Sequence, residues 1–385
     1  MTDTSSIQPF RIAIPDEALE DLRDRLRRTR WPDGPADDGW TRGVPQQELR
    51  ELAAYWADGY DWRAQEARLN KLDQFTTDID GQTIHFVHVR SPEPDALPLV
   101  MTHGWPSSPA EFLEVVGPLT NPQAHGGGPA HAFHVVAPSL PGYGFSTPVR
   151  ETGWGNLFRV AMAWAELMTR LAYDRFAVHG TDAGAGVAGL LPMAAPGRVV
   201  GTHVTGTVAA MPFGPPLDPD GLDDADRERA ERFNEYRESG IGYLHLQATR
   251  PQTLGYLLND SPAGQLAWIA EKFHEWTEDG IGRDTLLTAV SIAWFTGAGA
   301  ASAHATYEGM QVYREMAARE APAPEHAGPP RGVAVFAADT TIRSLMDPAG
   351  AIEHWTEYDR GGHFPAIEVP ELLIDDVRTF FGGRR

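Results

Sequence analysis

The segment Phe176-Ala-Val-His-Gly-Thr-Asp-Ala-Gly-Ala-Gly186 limits what this 385-residue chain can fold into more than any other stretch. Apolar strand-forming residues run into Gly180-Thr181-Asp182-Ala183-Gly184, and a helical stretch begins at once. Such a turn forces its central residue into a strained backbone conformation, and close strand–helix contact calls for glycine on either side. Asp182 therefore stands at the head of a helix, where the macrodipole favours a carboxylate over its protonated form. An aspartate there can also serve only as a helix cap. The rest of the chain decides between the two.

Around the turn, short buried-looking strands are predicted at Leu97 to Thr102, Phe133 to Pro138, Phe176 to His179, Gly201 to Gly206, Gly332 to Phe336 and Trp355 to Tyr358. Helical stretches lie between most of them, notably Asn156 to Leu171 and Ala183 to Met193. Strands alternating with helices imply a mainly parallel sheet covered on both faces. Phe75 to Asp80 and Thr83 to Arg90 read as a hairpin that adds an antiparallel edge, for eight strands in all. Residues 1–74 form an arm: Phe10, Ile12 and Ile14 alternate like a short strand, and Leu19, Leu22 and Leu26 stripe a helix that runs toward Trp31-Pro32. Helices are expected over about Gln46 to Ala57 and from Asp61-Trp62. The core then spans residues 75–212 and 320–385. Residues 213–319 read as an inserted helical cap rich in aromatics, and the Pro/Ala-rich stretch Glu320 to Pro330 leads back to the sheet.

Composition narrows the partners. A net charge of -21 repels phosphate backbones and anionic membrane surfaces, so nucleic acid and membrane partners are not expected. No cysteine is present, which removes thiol nucleophiles, disulfides and thiolate metal sites. The first ten residues lack a basic region followed by an apolar stretch, so no signal peptide is read and a cytoplasmic protein is expected. An apolar cap or arm surface is compatible with a homodimer. No metal or cofactor motif stands out: the 14 His include no H-x-x-x-H helix pattern, and His85 and His88 on one strand point to opposite faces.

Three further elements give Asp182 its company. Met101-Thr-His-Gly-Trp-Pro106 follows a predicted strand, where the backbone N–H groups of Trp105 and of Ala183 would form an oxyanion hole. Asp339 closes the strand Val333-Ala-Val-Phe-Ala-Ala338, and His363 lies in the glycine-rich loop Arg360-Gly-Gly-His-Phe-Pro365. Nucleophile, acid and base in that chain order are the signature of the α/β-hydrolase fold. A carboxylate nucleophile is poor at cleaving ordinary esters but displaces at an alkyl carbon, giving an enzyme ester that His363-activated water then hydrolyses. Epoxides and alkyl halides both suit this chemistry. An epoxide also needs donors for its leaving alkoxide, supplied from the cap.

The motifs His103-Gly-Trp-Pro106, Pro138-Ser-Leu-Pro-Gly-Tyr-Gly-Phe-Ser146, the Asp182 turn and Gly361-Gly-His-Phe-Pro365, with the opening Pro9-Phe-Arg-Ile12, resemble the microsomal-type epoxide hydrolase family. Glu238-Ser-Gly-Ile-Gly-Tyr-Leu-His-Leu-Gln247 resembles the segment bearing the first ring-opening tyrosine, which places it at Tyr243. Ala301-Ser-Ala-His-Ala-Thr-Tyr307 resembles the segment bearing the second, at Tyr307. The resemblance implies an epoxide hydrolase without metal or cofactor that converts an epoxide and water to a vicinal diol. Two departures stand out. Ala183 replaces a frequent Trp, leaving a smaller wall and room for a larger substrate, and the membrane anchor of the microsomal members is missing, which implies a soluble enzyme. The pattern is most similar to bacterial epoxide hydrolases of enediyne antibiotic biosynthesis, which implies an aryl-substituted epoxide. A haloalkane or haloacid dehalogenase with the same Asp-His-Asp triad is the alternative, and a catalytically dead binding module of this fold is a third.

Overall fold

A computed structural model describes residues 6–34, 39–128, 131–207, 213–317 and 328–384. The apolar runs form one sheet: β1 (Gln8–Phe10), β2 (Gln74–Ile79), β3 (Gln82–Val89), β4 (Leu97–Thr102), β5 (Phe133–Pro138), β6 (Phe176–Thr181), β7 (Val199–Thr205), β8 (Arg331–Val335) and β9 (His354–Glu357). Its order is β1-β2-β3-β5-β4-β6-β7-β8-β9. Pairing is antiparallel from β1 through β3 to β5 and parallel from β5 onward. The expected eight strands become nine because Gln8–Phe10 pairs with Gln74–Thr76 and covers the backbone groups that the hairpin would leave open.

The helices follow in chain order. The arm holds α1 (Asp16–Arg27), α2 (Gln46–Asp58) and α3 (Trp62–Leu69), and the sheet is flanked by α4 (Leu113–Thr120), α5 (Leu157–Arg170) and α6 (Ala183–Ala194). Only helices occur among the described residues between β7 and β8: α7 (Asp224–Glu235), α8 (Gly242–Thr249), α9 (Pro251–Asp260), α10 (Pro262–Trp276), α11 (Arg283–Thr296) and α12 (Ala298–Ala317). The chain closes with α13 (Arg343–Met346), α14 (Pro365–Glu368) and α15 (Pro370–Phe381). Residues 320–327 of the Pro/Ala-rich stretch, and the boundaries expected at 212 and 319, lie outside the described residues. Among the described residues no single helix is long and apolar enough to cross a membrane.

Strand alternation sorts the core into two layers. Val100, Val136 and Val178 face α5 and α6 with Trp164 and Leu191, while Leu99, Met101, Val135 and Ala137 face α4 and α15 with Leu119 and Phe380. The arm does something different. Leu19, Leu22, Leu26 and Trp56 pack on Leu266, Phe273, Leu287 and Val290 of α10 and α11, so the arm braces the inserted helices while β1 joins the sheet. Trp56 Nε1 donates to Ser291 Oγ at 2.9 Å, and the Tyr60 and Thr288 hydroxyls bond at 2.9 Å across the same seam.

Two expectations for the arm are corrected. The first strand stops at Phe10 because the Ile12 and Ile14 amides turn to side chains, Asn70 Oδ1 at 2.9 Å and Glu66 Oε1 at 2.7 Å. Helix α1 ends at Arg27, short of Trp31, where the Thr29 hydroxyl donates to the Arg25 carbonyl and competes with the helical bond.

Asn70 also donates to the Ile12 carbonyl at 2.8 Å, so one side chain satisfies both backbone groups of that residue. Asn70→Ala strands both and should destabilise the protein by about 1–3 kcal/mol. Equilibrium urea unfolding measures it; an unmoved midpoint would show that this tie does not hold the arm.

Candidate active site

The turn between β6 and α6 holds Asp182 at φ 52°, ψ -122°, a conformation that costs a non-glycine residue on the order of 1–3 kcal/mol. The flanking glycines are required by space. A Cβ at Gly180 would meet the Gly184 carbonyl oxygen at 2.1 Å, and one at Gly184 would meet the Thr102 carbonyl oxygen at 2.0 Å. Although Asp182 occupies the N-cap position of α6, its side chain makes no capping bond. Instead Oδ1 accepts the Trp105 N–H at 2.9 Å, with the Ala183 N–H as the second amide on the carboxylate. Gly104 makes the approach possible, since a Cβ there would lie 2.4 Å from Asp182 Oδ1.

His103 locks that loop from behind. Its buried Nε2 accepts the Leu140 N–H at 3.1 Å, which leaves Nδ1 to donate to the Gly104 carbonyl at 2.9 Å.

His363 arrives on the loop between β9 and α14, its own N–H donating to the Trp276 carbonyl at 2.8 Å. Nε2 lies 3.6 Å from Asp182 Oδ2, the oxygen turned away from the Trp105 amide. Burial is the largest influence on Asp182 and opposes its charge. The imidazole and the two amides outweigh it and hold the carboxyl below its ordinary range. Burial likewise pushes His363 down, but Asp182 foremost, with Asp339 and Glu111, pulls it above its ordinary value.

Asp339 is buried, and Oδ2 accepts the Phe336 N–H at 3.0 Å. Burial pushes its carboxyl up to about 7 against the Phe336 amide and the His363 charge. It acts on the imidazole through charge; no hydrogen bond or ion pair joins the two among the described residues. The neighbouring acids are committed elsewhere, Asp347 to the Ala351 and Ile352 amides and Glu357 to Arg229.

From the inserted helices Tyr243 stacks on Trp105 at 4.9 Å between ring centroids and 13° between planes, with Trp276 against its edge. Its hydroxyl bonds the Tyr236 hydroxyl at 2.9 Å. Tyr307 is placed differently. It lies on α12, is 37% exposed, and makes no hydrogen bond with another described residue. The structure thus brings Asp182, Trp105, Ala183, His363 and Tyr243 together and sets Asp339 at electrostatic range, while the Tyr307 phenol makes no hydrogen bond to any of them. A sequence match fixes a helical position, whereas the direction of a phenol depends on how that helix is laid over the sheet.

Sequence reasoning passed over two polar residues here. Tyr236 was one aromatic among many in the inserted segment. Glu111, in a 3-10 turn over Pro109–Phe112, is only 3% exposed, has no hydrogen-bond partner for either carboxylate oxygen, and is pushed up to about 7 by burial. The pattern Glu111-Phe112 carries no mark of burial, so neither had a usable signal. Among the described residues one set has metal-ligand spacing, His203, His354 and Asp376, with ligand atoms within 4.8 Å of one another. Both imidazoles and the Tyr358 hydroxyl already hydrogen bond to Asp376, which makes the set a closed network beneath the sheet rather than part of this site.

Comparison with known proteins matches residues 7–112 to the family profile described as epoxide hydrolase N terminus, and residues 99–376 to that of the alpha/beta hydrolase family. A Stigmatella aurantiaca protein provisionally named an epoxide hydrolase is 41% identical over 384 residues, covering 97% of this chain and 84% of its own. Epoxide hydrolase 1 of Sus scrofa is 34% identical over 416 residues, covering 99% of this chain and 89% of its own. The solved structure of Aspergillus niger epoxide hydrolase superposes with a TM-score of 0.86 at 29% identity, covering 99% of this chain and 97% of that one.

Since Asp182 is the strongest pull on His363 toward the charged form, Asp182→Asn should lower the imidazole pKa and leave burial in command. NMR titration of the His363 ring measures this. An unchanged midpoint would mean that the two groups are not coupled.

Proposed function

The chain belongs to the epoxide hydrolases of the α/β-hydrolase fold, and we propose that it opens its epoxide through a covalent ester at Asp182. It is a hydrolase that turns an epoxide and water into a vicinal diol. The observation that carries the proposed route is the division of labour within one carboxylate. Oδ1 is held by the Trp105 amide, while Oδ2 faces His363 and is the oxygen available to attack.

In the first step Oδ2 forms a bond to an epoxide carbon as that carbon's bond to the ring oxygen breaks, its electron pair staying on the oxygen. Tyr243 gives that oxygen a proton, and Tyr307 from α12 is proposed as the second donor. A departing halide would need no proton, so a half-buried phenol over the nucleophile favours the epoxide over the dehalogenase alternative. In the second step His363 Nε2 takes a proton from water, and the hydroxide adds to Cγ of Asp182. The charge then grows on Oδ1, which already accepts the Trp105 amide, with the Ala183 amide beside the carboxylate. Collapse breaks the Cγ–Oδ2 bond, His363 returns its proton to the departing alkoxide, and the regenerated carboxyl sheds the proton that restores the phenol. Asp339 stabilises the imidazolium through its charge.

The rings of Trp105, Trp276 and Tyr243 meet within 6 Å of one another over the nucleophile. Such walls, with the small Ala183 beside Asp182, suit an aryl-substituted epoxide, and styrene oxide is the substrate of choice for testing.

His363→Gln should still be alkylated but should hydrolyse the ester on the order of 10²–10⁴-fold more slowly. Intact-protein mass spectrometry after mixing with styrene oxide detects the added mass; its absence would count against the ester. A single turnover in heavy-oxygen water should label the Asp182 carboxylate and leave the diol unlabelled. Tyr243→Phe and Tyr307→Phe should each slow alkylation on the order of 10²-fold, and an unchanged rate removes that tyrosine from the step.

The two steps should also differ in their pH dependence. His363 is raised mainly by the Asp182 charge, and esterification removes that charge. Hydrolysis needs a neutral imidazole and is lost as pH falls through its pKa. The acid limb of ester hydrolysis should therefore lie below the titration midpoint of the free enzyme's His363. Rapid-mixing kinetics across pH test this, and a limb at or above that midpoint would refute it.

A further inference from the structure

We propose that Tyr236 is a positioning residue that relays a proton to Tyr243 as the epoxide opens, so that the negative charge comes to rest on Tyr236. The inference depends on the reading of Tyr243 as a ring-opening donor.

The two hydroxyls are 2.9 Å apart although seven residues separate them. On a straight α-helix that spacing would set the residues ~10.5 Å apart along the axis. The gap is closed by a π-helical turn over Tyr236–Gly240 that ends α7, followed by the break at Ile241 before α8. Single π-turns within helices recur at functional sites. Gly240 is part of the device, since a Cβ there would lie 2.8 Å from Cδ2 of the Tyr236 ring. The chain thus departs from regular helix at the one place that joins these two phenols.

A hydroxyl that donates to substrate has its own oxygen free to accept. With Tyr243 donating to the epoxide oxygen, the 2.9 Å contact makes Tyr236 the donor to Tyr243. When the Tyr243 proton passes to the alkoxide, the Tyr236 proton passes to Tyr243, and one phenolate remains. It is neutralised when the regenerated Asp182 carboxyl sheds its proton, so no further reagent is needed.

The direction of the relay leaves the charge on Tyr236, the phenol that gives up its proton last. Burial raises both phenols above their ordinary value, which keeps them neutral until the ring opens. The charged groups acting on the pair are Asp182 and Glu275, which oppose a phenolate at either position. The Lys272 ammonium lies 4.8 Å from the Tyr243 ring centroid, but it is bound by Glu271 at 2.7 Å and Glu275 at 2.6 Å, which offset its charge.

The test is the single-turnover rate of ester formation from styrene oxide, with the rate of ester hydrolysis followed in the same experiment. Tyr236→Phe should alkylate roughly 10-fold more slowly, as expected for losing one hydrogen bond to a charged group, with hydrolysis unchanged. Replacing Tyr236 by 3-fluorotyrosine, a more acidic phenol, should restore alkylation and move its alkaline limb to lower pH. A ring that merely packs would not move that limb. Wild-type alkylation by Tyr236→Phe with Tyr243→Phe slowed, or an unmoved limb in the fluorinated protein, would overturn the relay and leave the role of Tyr243 standing. Wild-type rates in both phenylalanine variants would instead overturn the reading of Tyr243 itself.

Discussion

The site is organised around the approach of the Trp105 amide to within 2.9 Å of the Asp182 carboxylate. That distance requires two backbone segments, the loop after β4 and the turn after β6, to meet where ordinary residues would collide. Glycine at 104, 180 and 184 leaves the space, and parallel pairing of β4 with β6 through Thr102↔Gly180 holds the two loops level. The strain of Asp182 at φ 52° is sustained by this packing, and it aims Oδ1 at the Trp105 amide.

Once that carboxylate is ionised and half-buried, it sets the electrostatics of everything nearby. It pulls His363 up, is held down by His363 in return, and pushes the Tyr236, Tyr243 and Tyr143 phenols toward their neutral forms. A neutral phenol is what a ring-opening donor must be, and an imidazole whose pKa follows the charge of Asp182 suits a base needed only after that charge is consumed. One group thus raises the pKa of phenols and imidazole alike, because a negative charge stabilises a cation and destabilises an anion.

The arm adds a mechanical element. Its helices clamp α10 and α11, and α10 carries Trp276, whose carbonyl holds the His363 amide and whose ring lies against Tyr243. The arm is therefore connected to the site through the inserted helices.

How much of this was legible in the sequence varied with the range of the interaction. The short apolar runs marked β4 and β5 to the residue, and the turn at Gly180 to Gly184 announced both the strained aspartate and its glycines, because these depend on neighbours along the chain. The chain order of Asp182, Asp339 and His363 marked the fold, and the glycine-rich loop marked the imidazole. The short strand at Phe10 was read, but not its place as a ninth strand of the sheet, since an edge pairs only when a distant segment arrives to cover it. The separation of Asp339 from His363, the burial of Glu111 and the direction of the Tyr307 phenol were equally unreadable, being set by how loops and inserted helices lie over the sheet. Residue identity and local spacing determined the chemistry this chain carries. Only the tertiary fold decided which of its phenols and acids meet, because a 2.9 Å contact between Tyr236 and Tyr243 depends on a bend in the backbone that no periodicity records.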